Sequence, residues 1–384
     1  MNDKNKMRAL IVATTPYMIR QFLMKDIILL NDMGYKVDVA INFKSFGVID
    51  EEQLNSFKIE LVKYGVDIFN ISFSRSPLSK DNFKACKELK ELIENGNYDV
   101  VHCHTPNAAA VTRLVCRKFR KKGLKVIYTA HGFHFFKGAP LKNWLLFYPV
   151  EWLCAHWTDI LITINKEDYA LAQKHMHAKK VVYIPGVGLD TEKFKNCEVD
   201  RDKKREELGI PDDKIWCIAI GELSKRKNHE VLIRAIKDIS NIYLTIVGKG
   251  ELKEYLVNLS IELNLEDRVK FLGFRTDIDE LCHSSDIYLF PSFQEGLPVA
   301  LMEAMASGLP CVVSKIRGNT DLIDENGGAF FDPHSVDDCK NAIETVLSKD
   351  LNKLGNYNQE KINQFDKITV IEEMKKIYYE IGEK

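Results

Sequence analysis

Residues 287–308 read IYLFPSFQEGLPVALMEAMASG. Four apolar residues, Ile287 to Phe290, have the length and character of a buried strand. Pro291 and Ser292 end it. The loop Phe293-Gln294-Glu295-Gly296-Leu297-Pro298 follows. A helix is predicted from about Val299 through Glu303 to Ser307, with Gly308 as its stop. Pro298 suits a first helical position. A strand that passes through a short loop into a helix is half of a parallel β-α-β unit. The backbone N–H groups that open such a helix carry no internal partner and, with the helix dipole, favour a phosphate. Gly296 allows close backbone approach. Glu295 lies at the strand's carboxyl end, and Glu303 lies on the helix face that turns back toward it. Carboxylates repel phosphate, so these two suit neutral hydroxyls: a sugar and a ribose flanking a diphosphate. The alternative is an ordinary strand-loop-helix with two solvated glutamates.

Outward from this segment the same alternation recurs. In the first half, apolar runs stand at Ala9 to Ala13, Lys36 to Ile41, Asp99 to His102, Val126 to Thr129 and Ile160 to Thr163. An amphipathic stretch from about Ile19 to Met33 ends at Gly34. A second series has strands at Ile215 to Ile220, Tyr243 to Val247, Val269 to Leu272, Ile287 to Phe290 and Pro310 to Val313. The turn-rich text Ile184 to Asp190 separates the two series. This predicts an α/β chain with two doubly wound parallel sheets, in residues 1–188 and 189–365. A last helix in 366–384 has apolar residues at helical spacing (Val370, Ile371, Met374, Ile377, Tyr378, Ile381) and is expected to pack back on the first domain. Doubly wound sheets bind ligands beyond the carboxyl ends of their strands, so two of them are expected to face one interdomain cleft.

Composition narrows the function. The 384 residues carry 54 basic and 55 acidic side chains, a formal net charge of −1. That balance argues against a nucleic-acid partner. Nine cysteines are scattered without a Cys-x-x-Cys pair, as expected of buried thiols in a reducing compartment. Met1 to Arg8 is polar, and no run of about twenty apolar residues exists. The chain is expected to be cytoplasmic.

The text from Pro291 to Val312, Pro-Ser-x-x-Glu-Gly-Leu-Pro-x-x-x-x-Glu-Ala-Met-Ala-x-Gly-x-Pro followed by Cys311 and Val312, resembles the signature of family-4 glycosyltransferases. The resemblance covers nearly the whole chain. It implies the GT-B fold, a nucleotide-diphosphate sugar donor, no required metal or other cofactor, and retention of anomeric configuration. Within it, Glu295 would hold donor-sugar hydroxyls and Glu303 the ribose hydroxyls. The backbone of Gly296, Leu297 and Pro298 would face the sugar and diphosphate. The loop Gly221 to Asn228 would supply cations to the diphosphate, and Lys227 stands where the family has a lysine. Glu222 occupies the usual arginine position, a departure that leaves either Lys225 or Arg226 to substitute or the diphosphate more weakly bound. Arg275 would lie near the nucleobase. Asn319, after the strand Pro310 to Val313, would approach the diphosphate or sugar, and a simple turn explains it equally well.

In the first half, His131 follows the strand Val126 to Thr129. The resemblance makes it the contact to the donor sugar and, with Glu295 and Lys227, part of the catalytic set. His134 reads instead as part of an aromatic cluster. His102 and His104 read as a polar edge on the acceptor side or as packing, with no third ligand at useful spacing for a metal. Thr14-Thr15-Pro16-Tyr17 stands where relatives have a Gly-Gly turn, so Thr15 is an acceptor-side candidate. No Gly-x-Gly-x-x-Gly is present, which disfavours a dehydrogenase.

Arg113, Arg117, Lys118, Arg120, Lys121, Lys122 and Lys125 crowd one segment. Exposed together, at roughly 1 kcal/mol each, they would hold the protein on anionic lipid at the inner face of the plasma membrane; a solvated helix end is the plain alternative. The text His131 to Val150 is similar to bacterial capsule and exopolysaccharide transferases. The expected reaction is transfer of a hexose or N-acetylhexosamine from a UDP-sugar to a polyprenyl-diphosphate-linked saccharide. The alternatives are a non-catalytic nucleotide-sugar-binding partner in polysaccharide assembly and a sugar-nucleotide epimerase on the same fold.

Overall fold

Leu10, Ile11 and Val12 are fully buried and lie in a central strand of the first of two parallel sheets. The computed structural model describes residues 6–44 and 51–382. It divides into two units, Met1–Val187 with Ile368–Lys384, and Gly188–Lys367. The first sheet contains β1 (Arg8–Val12), β2 (Lys36–Ile41), β3 (Asp67–Asn70), β4 (Val100–His104), β5 (Lys125–Ala130), β6 (Ile160–Thr163) and β7 (Lys180–Tyr183). Its order is β3-β2-β1-β4-β5-β6-β7, with every neighbouring pair parallel. The second contains β8 (Ile215–Ile220), β9 (Ile242–Val247), β10 (Val269–Gly273), β11 (Ile287–Phe290), β12 (Cys311–Ser314) and β13 (Gly328–Phe331). Its order is β10-β9-β8-β11-β12-β13, again all parallel. The expected pair of doubly wound sheets is therefore present.

Strands covered by helices on both faces must be apolar throughout, and these are the ones the sequence marks as continuous apolar runs. The strands it does not mark are β3, β7 and β13, and all three lie at sheet edges. There a strand is half-solvated, and Asp67, Asn70 and Lys180 break the apolar pattern.

The stretch expected to be one helix from Ile19 to Met33 has two parts and a short turn before them. A short turn at Pro16–Met18 leads into a wide π-helical stretch at Ile19–Leu23 and then a regular helix at Met24–Asp32. Such wide turns recur near functional sites because they re-aim side chains. The last helix, Lys367–Gly382, buries Val370, Met374, Ile377, Tyr378 and Ile381 in the core beside β1 and β2. In the second unit, Leu189 bridges to Asp366, and the Thr191 hydroxyl donates to the Asp366 carboxylate at 2.6 Å. These bonds tie together the two segments by which the chain enters and leaves that unit. Among the described residues, no helix is long and apolar enough to cross a membrane.

Candidate active site

In each sheet the strand order reverses direction once, between β1 and β4 and between β8 and β11. Connections leave opposite ways at such a point, so the loops beyond the strand ends splay apart and open a hollow. Both groups of candidate residues lie there.

In the second unit, β8 leads into Gly221 and a short 3-10 turn, Lys225–Lys227. A Cβ on Gly221 would stand 3.2 Å from Lys227 Cδ, so glycine lets the lysine stem cross the turn. Lys227 Nζ reaches Glu295 Oε1 at 2.8 Å and sits 4.8 Å from the centre of the Phe290 ring. Burial lowers the Lys227 pKa, and the attraction of Glu295 works against that shift. Arg226 Nη1 donates to the same Glu295 oxygen at 2.8 Å and to the Gln294 carbonyl at 3.1 Å. Lys225 is exposed. Of the two substitutes for the missing arginine, Arg226 is therefore the one brought onto the site.

The Glu295 loop is braced from β12. Arg317 Nε donates to the Glu295 carbonyl at 3.2 Å. Gly318 has φ +79°, and a Cβ there would lie 2.5 Å from the Gly296 carbonyl oxygen, so the two loops touch backbone to backbone. Glu303 projects from the helix Val299–Ala306. Its carboxylate has no hydrogen-bond partner among the described residues, and burial raises its pKa to about 7, against the pull of Lys193.

In the first unit, Thr14 and Thr105 stitch the β1 and β4 turns together, with their hydroxyls 2.7 Å apart. Thr105 has φ 63°, a strained setting for a β-branched residue and one that recurs at functional sites. Thr15 caps the turn Pro16–Met18, accepting from the Met18 N–H at 3.4 Å, and lines a hollow of about 260 Å³ with Arg75, Asn107 and His134. Beyond β5, His131 Nε2 lies 3.1 Å from His104 Nδ1. Burial lowers the His131 pKa to about 4, helped by the charge of Lys25. The two rings, with Asp26, His102 and Thr129, line a small cavity of about 30 Å³. His134 stacks on Phe147 at 4.5 Å.

The structure places several of the expected residues inside the protein or in other bonds. His102 takes the packing alternative: it is 1% exposed, with Nδ1 2.8 Å from the Tyr378 hydroxyl and Nε2 2.8 Å from Thr129 Oγ1. Asn319 is fully buried, and its amide donates to the Ser314 carbonyl at 3.0 Å, which braces the end of β12. Arg275 donates to Asp277, with bonds of 2.8 and 2.5 Å, two residues along its own loop, and to Glu207 at 3.4 Å. Arg113 leaves the basic patch altogether. It is fully buried, paired with Glu151 at 2.8 Å and stacked over Tyr128 at 4.0 Å. Arg120 is held by Asp159, leaving Arg117, Lys118, Lys121 and Lys122 exposed. Pro298, moreover, is the residue that precedes the helix rather than its first member.

The sequence reading missed Arg317 as a brace, and Asp26, Thr105 and Tyr378 as parts of the first-unit cluster. Tyr378 meets His102 from 276 positions away, a pairing that no local pattern encodes.

Comparison with known proteins places this geometry. Residues 200–363 match the family described as glycosyl transferases group 1, and residues 7–165 match a glycosyl transferase 4-like family. EpsD of Bacillus subtilis, assigned as a glycosyltransferase, is 34% identical over 97% of this chain and 96% of its own length. The UDP-Gal:alpha-D-GlcNAc-diphosphoundecaprenol alpha-1,3-galactosyltransferase of Escherichia coli is 32% identical over 79% of this chain and 81% of its own. The crystal structure of Anabaena HepE in complex with UDP superposes with a TM-score of 0.76 at 21% identity, covering 98% of this chain and 100% of that one. With glycosyltransferase families matched in both halves and relatives aligned along nearly its full length, the chain belongs to the group 1, type-4-like glycosyltransferases and has their GT-B fold.

Proposed function

We propose that the chain is a retaining transferase that moves a hexose or N-acetylhexosamine from a UDP-sugar to a polyprenyl-diphosphate-linked saccharide, in capsule or exopolysaccharide synthesis. The observation that carries this reading is Glu295 gripped by Lys227 and Arg226 at the reversal point of the second sheet. A carboxylate for sugar hydroxyls stands directly beside two cations for a diphosphate. On donor binding, Glu295 exchanges its cations for the hydroxyls, and Lys227 and Arg226 turn to the phosphates. Glu303 takes the ribose hydroxyls. The backbone of Gly296, Leu297 and Pro298 faces the sugar and diphosphate, and His131 orients the sugar.

Departure of the nucleoside diphosphate is stabilised by Lys227, Arg226 and the start of the helix Val299–Ala306, without a metal. With the donor bound, Glu295 is occupied by the sugar hydroxyls and is not free to attack the anomeric carbon. The acceptor hydroxyl therefore attacks from the side on which the diphosphate leaves. Its oxygen bonds to the anomeric carbon as the bond to the phosphate oxygen breaks, and its proton passes to that oxygen. The substrates in the printed name of the Escherichia coli relative support the donor and acceptor classes.

A peripheral site of action on an anionic membrane surface belongs to the same reading. The helix Leu141–Ala155 exposes Leu141, Leu145, Leu146, Val150, Trp152 and Leu153. Exposed Arg117, Lys118, Lys121 and Lys122 supply cations for anionic headgroups.

The test is direct. Purified protein is warmed with a panel of nucleotide diphosphates and their sugars, because a ligand of the folded state raises the melting point. The stabilising donor is then supplied with a polyprenyl-diphosphate saccharide, with and without EDTA, and the product anomer is assigned by NMR. Full activity in both Glu295→Ala and Glu303→Ala would end this assignment. Epimerised sugar formed without acceptor would point to the epimerase instead.

A further inference from the structure

β4 and β5 are neighbours in register, His104 opposite Thr129, so His104 and His131 emerge at the same end of the first sheet. His104 Nδ1 is 3.1 Å from His131 Nε2. The His104 ring is 1% exposed, and its other nitrogen, Nε2, is buried with no hydrogen-bond partner among the described residues. Burial and the neighbouring imidazoles keep His104 well below its ordinary pKa, as burial does for His131. Both rings are therefore neutral at pH 7, each with one ring proton, and the contact admits two arrangements.

In one, His131 Nε2–H donates to His104 Nδ1. His104 must then carry its own proton on Nε2, where it is stranded without an acceptor. The nearest ring offers none. His102 lies 4.1 Å away, centre to centre, and its two nitrogens are engaged with Tyr378 and Thr129. The Tyr378 hydroxyl donates to Asp26 at 3.2 Å, so its oxygen accepts from His102 Nδ1–H, and His102 Nε2 accepts from Thr129. In the other arrangement His104 Nδ1–H donates to His131 Nε2, and only a bare lone pair is left unsatisfied. A stranded buried N–H is the rarer outcome in folded proteins, which selects the second arrangement.

We infer that His104 is a positioning residue: its Nδ1–H donates to His131 Nε2 and fixes His131 as the Nδ1–H tautomer, leaving that N–H as a donor for a sugar hydroxyl. This rests on the reading that His131 meets the donor sugar.

The experiment uses full-length protein with ¹⁵N-labelled histidine, with His131 signals assigned by their loss in His131→Asn. The wild type should show a bare Nε2 and a protonated Nδ1 on His131. An asparagine amide can replace an Nδ1–H donor, so His104→Asn should keep that spectrum and a kcat within about threefold of wild type. His104→Leu removes the donor. It should release His131 to the Nε2–H form and lower kcat about tenfold, the scale of one lost hydrogen bond, with little change in donor KM. A wild-type His131 protonated on Nε2 overturns the inference, and so does a His104→Leu protein with unchanged tautomer and kcat. The wild-type spectrum decides the proton's position even where His104→Leu does not fold. Full activity in His131→Ala would instead remove the donor-sugar reading and leave the tautomer assignment standing on the spectrum.

Discussion

Lys227 Nζ stands 2.8 Å from Glu295 Oε1, with the two side chains 13% and 11% exposed. The pair joins the loop after β8 to the loop after β11, the two strands between which the second sheet reverses. Because water screens it little, this contact is worth more than a surface ion pair. It aims Glu295 before any sugar arrives, and the attraction of Glu295 opposes the lowering of the Lys227 pKa by burial.

Removing the lysine should therefore affect chemistry more than binding. Lys227→Ala is expected to lower kcat about a hundredfold, the scale of losing one preorganised charge at a leaving group. Lys227→Arg should recover part of it. Steady-state kinetics with the identified donor check this; an unchanged kcat in Lys227→Ala would show that the leaving group is stabilised elsewhere.

Arg226 and Lys225 are adjacent in sequence but not in role. Arg226 reaches Glu295 and the Gln294 carbonyl, whereas Lys225 makes no hydrogen bond to that loop among the described residues. Arg226→Ala should raise donor KM about tenfold, and Lys225→Ala should stay within about twofold. The reverse ranking would restore Lys225 as the replacement for the arginine displaced by Glu222.

Glu303 gives a pH dependence of defined sign. Burial raises its pKa in the folded state to about 7, above its ordinary value of 4.5. The folded state thus binds the proton more tightly than the unfolded one. Stability is highest below the unfolded value and falls as pH rises toward 7. Glu303→Gln removes the burial cost of the charge. It should be more stable than wild type at pH 8 by on the order of 2 kcal/mol, with the gain vanishing below about pH 4.5. Thermal melts across that range check it. A gain of equal size at low pH would mean the effect is packing, not ionisation.

The internal pair of Arg113 and Glu151 is structural. Arg113→Met leaves Glu151 buried beside the Tyr128 hydroxyl without its cation, and should cost about 3–5 kcal/mol. Combining it with Glu151→Leu should recover most of the loss, since an apolar pair of similar volume often matches a buried ion pair. Urea denaturation of the single and double variants measures both.

Membrane binding should depend on the outer face of Leu141–Ala155. Leu141→Glu with Leu145→Glu replaces two side chains that are 72% and 71% exposed, so folding should be unaffected. Co-sedimentation with vesicles of anionic lipid should fall by about tenfold or more, because apolar area and attraction to headgroups are lost together. Unchanged sedimentation would place the contact elsewhere.

Much of this was legible along the chain. The text from Ile287 to Gly308 yields a strand, a loop and a helix because each is encoded by neighbours: an apolar run, prolines and a glycine stop. Glu295 and Lys227 could be named because they follow strand ends, and strand ends are readable. The basic segment misled because charge was counted without direction. Arg113 faces inward from Pro106–Cys116, while Arg117 and Lys118, just beyond its end, face water. Edge strands β3 and β7 escaped because solvent on one side permits polar residues within them.

By itself, then, the sequence determined the alternating architecture, the helix start beside β11 and the carboxylates flanking it, since hydrophobic periodicity and turn chemistry act over a few residues. Which side chains meet was decided only in three dimensions. Arg226 rather than Lys225 on Glu295, Arg317 behind the Glu295 carbonyl, and Tyr378 on His102 all join residues far apart in the chain. Such contacts are fixed by strand order and by which face of each loop is buried, and no local pattern records either.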